Sequence, residues 1–242
     1  MTSSNKKIII IGASSGIGKA LAKLYAGNGN FVAITGRRKD LLEEIKSGFP
    51  GNIITKCFDV TGNENIQHVL SLIQELGGLD LLIYNAGFGE PSETLDRSID
   101  ERTIKTNVDG FAEIVRFGFD YFTKQGYGQI VGTSSIASVR GNSLAPAYSA
   151  SKAFMSIYLE GLYIRSKKMK LDIAITDIQP GFVRTKMAKG NKQFWVVSLD
   201  KATRQIFEAI EAKRFRVYIS KRWRLIAMLM KMLPLFIYRR IA

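Results

Sequence analysis

The sequence has one cysteine, Cys57, and one histidine, His68, in 242 residues. A single thiol excludes an internal disulfide and a cysteine-built metal cluster, and a single imidazole argues against histidine-centred catalysis. Cys57 reads as a small core residue and His68 as an ordinary helix residue. No leader peptide is expected, since residues 1–7 are polar and the apolar run 8–11 is too short for one, and synthesis and folding in the cytoplasm are expected with it. Acidic residues are absent from 213–242, which hold nine Lys and Arg; without that stretch the net charge falls from +14 to +5, with 26 basic against 21 acidic residues. A basic charge so concentrated beside an apolar run, with no recognised nucleic-acid motif, argues against nucleic-acid binding.

What remains is an ordinary globular balance, 46% hydrophobic and 23% charged, long enough for one sizeable core. Residues 6–11 are a β-branched apolar run of the kind buried on both faces of a parallel sheet. Gly12-Ala13-Ser14-Ser15-Gly16-Ile17-Gly18 follows at once, and a helix from about Gly16 stops in Gly27-Asn28-Gly29. Strand, glycine turn and helix together make a phosphate cradle: the backbone comes close to a pyrophosphate and the helix aims N–H groups at it. Gly12, Ser14, Ser15, Gly16, Ile17 and Gly18 are the candidate contacts. At the end of the second strand, 31–35, a carboxylate would hold the ribose hydroxyls of NAD; Arg37 and Arg38 stand there instead and suit the 2'-phosphate of NADP.

Strands are expected at 53–58, 79–84, 129–133, 171–178 and 216–220, with helices at 40–47, 63–76, 98–125, from 146 onward, and 199–212. Past the strand 129–133, Ser135 lies where open α/β sheets bind ligands, beyond the carboxyl end of a strand. Tyr148 follows thirteen residues later and Lys152 four after that. After Pro146 that spacing puts Tyr148 and Lys152 on one helix face. An ammonium beside a phenol moves the phenol's pKa toward neutrality, so Lys152 is expected to make Tyr148 a usable acid or base.

The glycine-rich start with Ser135, Tyr148 and Lys152 resembles the short-chain dehydrogenase/reductase family over about residues 6–220. The resemblance implies one Rossmann-type, doubly wound α/β domain with seven mainly parallel strands in the order 3-2-1-4-5-6-7. It implies hydride transfer between NADP(H) and a carbonyl or secondary alcohol. Ser135 would hold the oxygen and Tyr148 move the proton, while Lys152 would lower the phenol's pKa and bind the nicotinamide ribose. Asn107, in Asn107-Val108-Asp109-Gly110, would be the fourth catalytic residue, holding a water that links the lysine to solvent. Asp59 with Val60 would lie by the adenine, and Asn85-Ala86-Gly87 would stabilise the sheet and line the cofactor, although Tyr84 replaces the family's usual preceding Asn. Pro180 and Gly181 would turn the chain beneath the nicotinamide, with Val183 and Thr185 on its carboxamide.

Loops near 88–95, 139–144 and 187–195 point to an apolar carbonyl or alcohol substrate, with 187–195 a mobile flap. The chain is expected to form a homodimer or homotetramer. A non-catalytic NADP-binding sensor or scaffold would share the same fold. Residues 221–242 form a separate basic, apolar tail. Its run 225–238, broken by Lys231 and Pro234, falls short of the roughly 20 residues that span a bilayer. Two destinations stay open for it: an anionic membrane surface, or a packed position on a partner subunit or over the active site.

Overall fold

Alternation within the first strand organises the molecule. In a computed structural model, which describes residues 5–185 and 195–240, β1 (Lys7–Ile11) sends Ile8 and Ile10 to one face of the sheet and Ile9 and Ile11 to the other, all fully buried. A strand with no polar side needs helices on both faces, which only parallel strands joined by crossover helices provide. Accordingly β2 (Phe31–Gly36), β3 (Ile53–Cys57), β4 (Leu81–Tyr84), β5 (Tyr127–Thr133), β6 (Asp172–Pro180) and β7 (Arg216–Ile219) pair with it in the order β3-β2-β1-β4-β5-β6-β7. Every pairing is parallel. The expected order and doubly wound class are met.

The helices α1 (Gly16–Gly27), α2 (Lys39–Ser47) and α7 (Leu199–Glu211) cover the face of Ile8 and Ile10, burying Leu21, Tyr25, Leu42, Ile45, Ile206 and Ile210. On the face of Ile9 and Ile11, α3 (Asn65–Leu76), α5 (Gly110–Gln125) and α6 (Pro146–Lys168) bury Val69, Leu72, Phe111, Ile114, Phe122, Met155 and Leu159. Because β1 has β2 on one side and β4 on the other, the strand order reverses between them, and in open α/β sheets the ligand crevice lies beyond the carboxyl ends of the strands at such a point.

Two expectations need correction. The helix read over 98–125 is interrupted: α4 (Arg97–Ile104) passes into one π-helical turn (Lys105–Asp109) before α5 begins. One inserted residue widens the turn without disturbing the apolar pattern on either side, so periodicity did not show it. Cys57, read as core, is exposed, because β3 is the outermost strand of the sheet and Cys57 is its last residue. The tail folds into α8 (Trp223–Met232) and a short α9 (Leu235–Tyr238).

Candidate active site

The crevice begins at Gly12, whose φ of +86° suits glycine, and a Cβ there would lie 2.5 Å from the backbone of Ala86. That contact brings the turn after β1 against the segment after β4. Asn85 holds the two together, its side-chain amide donating to Gly12 O at 2.9 Å and its backbone N–H to Ile11 O. Gly18, on the first turn of α1, packs so closely that a Cβ would sit 2.3 Å from Gly12 O. Ser15 precedes the helix in extended conformation with no side-chain cap, and the first turn carries no acid. Among the described residues its leading N–H groups have no side-chain cap, and their partial positive charge favours an anion.

Arg38 leans over this loop, donating from Nη2 to Ser14 Oγ at 2.7 Å and Ser15 Oγ at 2.8 Å. Arg37 turns the other way, 3.6 Å from the Asp59 carboxylate. Both pairs lie at the surface, so the arginines remain available to an incoming phosphate. Val60, next to Asp59, is buried.

Tyr148 stands in the first turn of α6, where Pro146 supplies a preset φ and needs no N–H partner. Its ring packs closely against Gly89: a Cβ there would fall 2.1 Å from a ring carbon. Its hydroxyl meets the side chain of Ser135, which sits just past β5 at the start of a 3-10 turn (Ile136–Val139). Burial raises the Tyr148 pKa, and the Ser135 hydroxyl works against that rise. Lys152 is 4% exposed, and burial pushes its pKa down to about 8, with the Asp177 carboxylate opposing. Its ammonium donates to Thr133 O at 2.9 Å and lies 5.8 Å from the centre of the Tyr148 ring.

Asn107 occupies the π-helical turn, fully buried, and exchanges hydrogen bonds with both backbone groups of Phe88, at 2.9 and 2.7 Å. Its amide also donates to Ser151 Oγ at 2.9 Å, tying this turn to α6 between Tyr148 and Lys152. Gly87 leaves the space between them open, since a Cβ there would be 3.3 Å from the Lys152 ammonium and 3.5 Å from Asn107 Oδ1. Tyr84, the departure from the family pattern, donates its hydroxyl to Thr106 O at 2.7 Å and so grips the same π-helical turn.

On the opposite wall, Pro180 ends β6 and Gly181 lies under Trp223, whose indole would overlap any Cβ on it. Val183 is buried and bridges to Val197, and Thr185 approaches the glycine loop, its methyl 3.6 Å from where a Gly16 Cβ would be. The glycine loop and the Pro-Gly turn thus lie on facing sides of one site. Of the expected flap, 187–194 lies outside the described residues; Trp195 is half-exposed, with its ring centre 6.3 Å from that of Trp223.

One group in this region was not singled out from the sequence. Asp177 in β6 is fully buried and accepts from Ser134 Oγ at 2.5 Å, Ser156 Oγ at 2.7 Å, Gln179 Nε2 at 2.7 Å and Arg216 Nε at 3.2 Å. It thereby joins the residue before Ser135 to the residue one turn after Lys152. An acid with apolar residues on both sides within the strand was the available signal.

A phenol and a hydroxyl converging on one point, beside a helix start without a side-chain cap, can bind an oxygen and exchange a proton with it next to a nucleotide. Comparison with known proteins gives the family. An uncharacterized oxidoreductase of Mycobacterium tuberculosis is 31% identical over 98% of this chain and 97% of its own length. Another, from Myxococcus xanthus, is 34% identical over 78% of this chain and 76% of its own. Among solved structures, a short chain dehydrogenase/reductase from Burkholderia phymatum in complex with NAD superposes with a TM-score of 0.84 at 20% identity, over 95% of this chain and 94% of that one. A 3-ketoacyl-(acyl-carrier-protein) reductase from Brucella melitensis complexed with NADH gives 0.81 at 20%, over 89% and 97%. At that identity the likeness is one of fold. The family model described as short chain dehydrogenase matches residues 6–194, most of the chain, and with it this protein belongs to the short-chain dehydrogenase family of oxidoreductases.

Proposed function

We propose that the protein is an NADP(H)-dependent reductase of an apolar carbonyl compound, with residues 1–220 as its dinucleotide-binding catalytic body and 221–242 as an appended tail. The observation that carries this reading is the meeting of Tyr148 and Ser135 at the crevice that α1 opens onto. The residues present fit a dinucleotide: Gly12, Ser14, Ser15, Gly16, Ile17 and Gly18 would hold the pyrophosphate. Arg37 and Arg38 would hold the 2'-phosphate, Asp59 and Val60 the adenine, and Asn85, Ala86 and Gly87 the middle of the molecule. Tyr148 and Lys152 would reach the nicotinamide ribose, and Pro180, Gly181, Val183 and Thr185 the carboxamide. When bound, the nicotinamide supplies or accepts the hydride.

The chain's own residues manage the oxygen and its proton. Ser135 orients the carbonyl oxygen and Tyr148 delivers the proton to it. A phenol whose pKa is raised by burial stays protonated at neutral pH, which suits the reductive direction. Lys152 supports the ribose and carries positive charge near the phenol, and Asn107 holds the wall between them in place. Phe88 under the Arg102 guanidinium, and Leu95 and Leu144 at 55% and 47% exposure, give the rim its apolar character. The Ser92 N–H donates to Leu144 O at 2.7 Å and joins the two rim loops. On the outer face of α6, Ile157 is 70% and Ile164 46% exposed, an apolar surface that supports assembly into a cytoplasmic homodimer or homotetramer.

The test follows NADPH absorbance while the purified protein is offered apolar ketones and aldehydes, with NADH run in parallel. NADPH should be used in preference to NADH, and Tyr148→Phe should bind NADPH normally while turnover falls by about 100-fold or more. Near-normal turnover in that variant removes Tyr148 from the mechanism. NADPH binding without turnover on any carbonyl would favour a sensor.

A further inference from the structure

Helix α8 carries two apolar stripes. Trp223, Ile226, Ala227 and Met230 face the body, Trp223 and Ala227 being 3% and 1% exposed. Leu225, Met228, Leu229 and Met232 face outward at 70, 54, 56 and 79% exposure, and α9 continues that surface with Leu235 and Phe236 at 69 and 62%. An apolar stripe on the outer side of a surface helix calls for a cover. No helix among the described residues is long and apolar enough to cross a membrane, so a lipid cover would meet these helices lying flat.

The charge around the patch selects among covers. Lys221, Arg222, Arg224, Lys231, Arg239 and Arg240 are all exposed, and residues 213–242 contain no acid to answer them. A second copy packed about a two-fold axis would set these cations against their own images, a repulsive arrangement. An anionic bilayer offers both an apolar interior for the leucines, methionines and phenylalanine and a negative surface for the rim of cations.

The patch is also fixed to the crevice. Arg140, on the loop between Ser135 and Tyr148, donates to the carbonyls of Met230, at 2.8 Å, and Leu233, closing the carboxyl end of α8. Tyr238 donates its hydroxyl to Gly141 O at 2.8 Å. At the other end Trp223 covers Gly181, and the Arg222 guanidinium lies 5.9 Å from the centre of the Trp195 ring. The outward stripe therefore keeps a set orientation to both walls of the site. We propose that α8 and α9 seat the protein on an anionic lipid bilayer, with the Trp195 side of the crevice rim against the lipid.

The experiment floats full-length protein through a density gradient with phosphatidylglycerol–phosphatidylcholine vesicles, with pure phosphatidylcholine vesicles, and with the anionic vesicles at high salt. A variant carrying Leu225→Asp, Leu229→Asp and Phe236→Asp, all at exposed positions, is run beside it. Wild type should rise with the anionic vesicles and bind at least about tenfold less without the anionic lipid or in salt. The variant should stay at the bottom with its Tm unchanged. Brominated lipid should quench tryptophan emission in wild type and not in Trp195→Phe. Wild-type protein that stays at the bottom with anionic vesicles overturns the proposal, and a change of sedimentation coefficient in the variant would then give the face to a second copy. Flotation without Trp195 quenching overturns the proposed orientation. None of these measurements needs turnover, so they stand or fall separately from the reductase reading.

Discussion

Burying the ammonium of Lys152 costs the folded chain stability. In the native state its pKa is pushed down to about 8, against about 10.4 for a free lysine. Below pH 8 both folded and unfolded chains carry the proton and the folded one bears the full cost of burying it. Between about 8 and 10.4 the unfolded state holds the proton that the folded state has released, so stability rises with pH across that window. Lys152→Met should therefore raise stability at neutral pH by on the order of 3 kcal/mol. The gain should fade to nothing near pH 10.5, read from urea midpoints at several pH values. A gain that does not change with pH would place the cause in packing. This residue was legible in the sequence because a helix puts positions i and i+4 on one face. Asp177 was not, because its meaning lies in partners from distant segments, Ser134, Ser156 and Arg216, that only the fold brings together. Arg37 and Arg38, a pair in the sequence, separate in space, one toward Asp59 and the other over Ser14 and Ser15.

Among the elements, the β1-α1 unit was readable because its strand, turn and helix follow one another without a gap. The break between α4 and α5 was not. Its cause is packing: a Cβ on Gly110 would strike Val60 O at 2.4 Å and approach the Tyr84 hydroxyl at 3.2 Å, so the backbone passes unusually close to β4 and to the segment after β3. The Tyr84 hydroxyl donates to Thr106 O there, a buried bond that holds the π-helical turn presenting Asn107. Tyr84→Phe should keep the fold, lower stability by about 1–2 kcal/mol, and slow turnover more than it weakens NADPH binding. Denaturant unfolding with steady-state kinetics checks this. An unchanged kcat at reduced stability would confine Tyr84 to a structural role.

Over the whole molecule, the excess of charge and the exposed apolar surface coincide at one end of the chain, and that end is not an appendage in space. Trp223 opens α8 with its indole over Gly181, at the turn that closes one wall of the crevice. Binding at the outer face of α8 and binding in the crevice therefore share a mechanical element, which gives the two ligands a route for coupling. Reciprocity then requires that the factor by which anionic vesicles change the Kd for NADPH equal the factor by which NADPH changes partitioning onto those vesicles. We expect a factor of about 5 or more, measured by titrating each ligand in the presence and absence of the other. A factor of one would mean that the contact between Trp223 and Gly181 transmits nothing. Any other value would make the composition of the surrounding lipid a control on how fully the enzyme is charged with its cofactor.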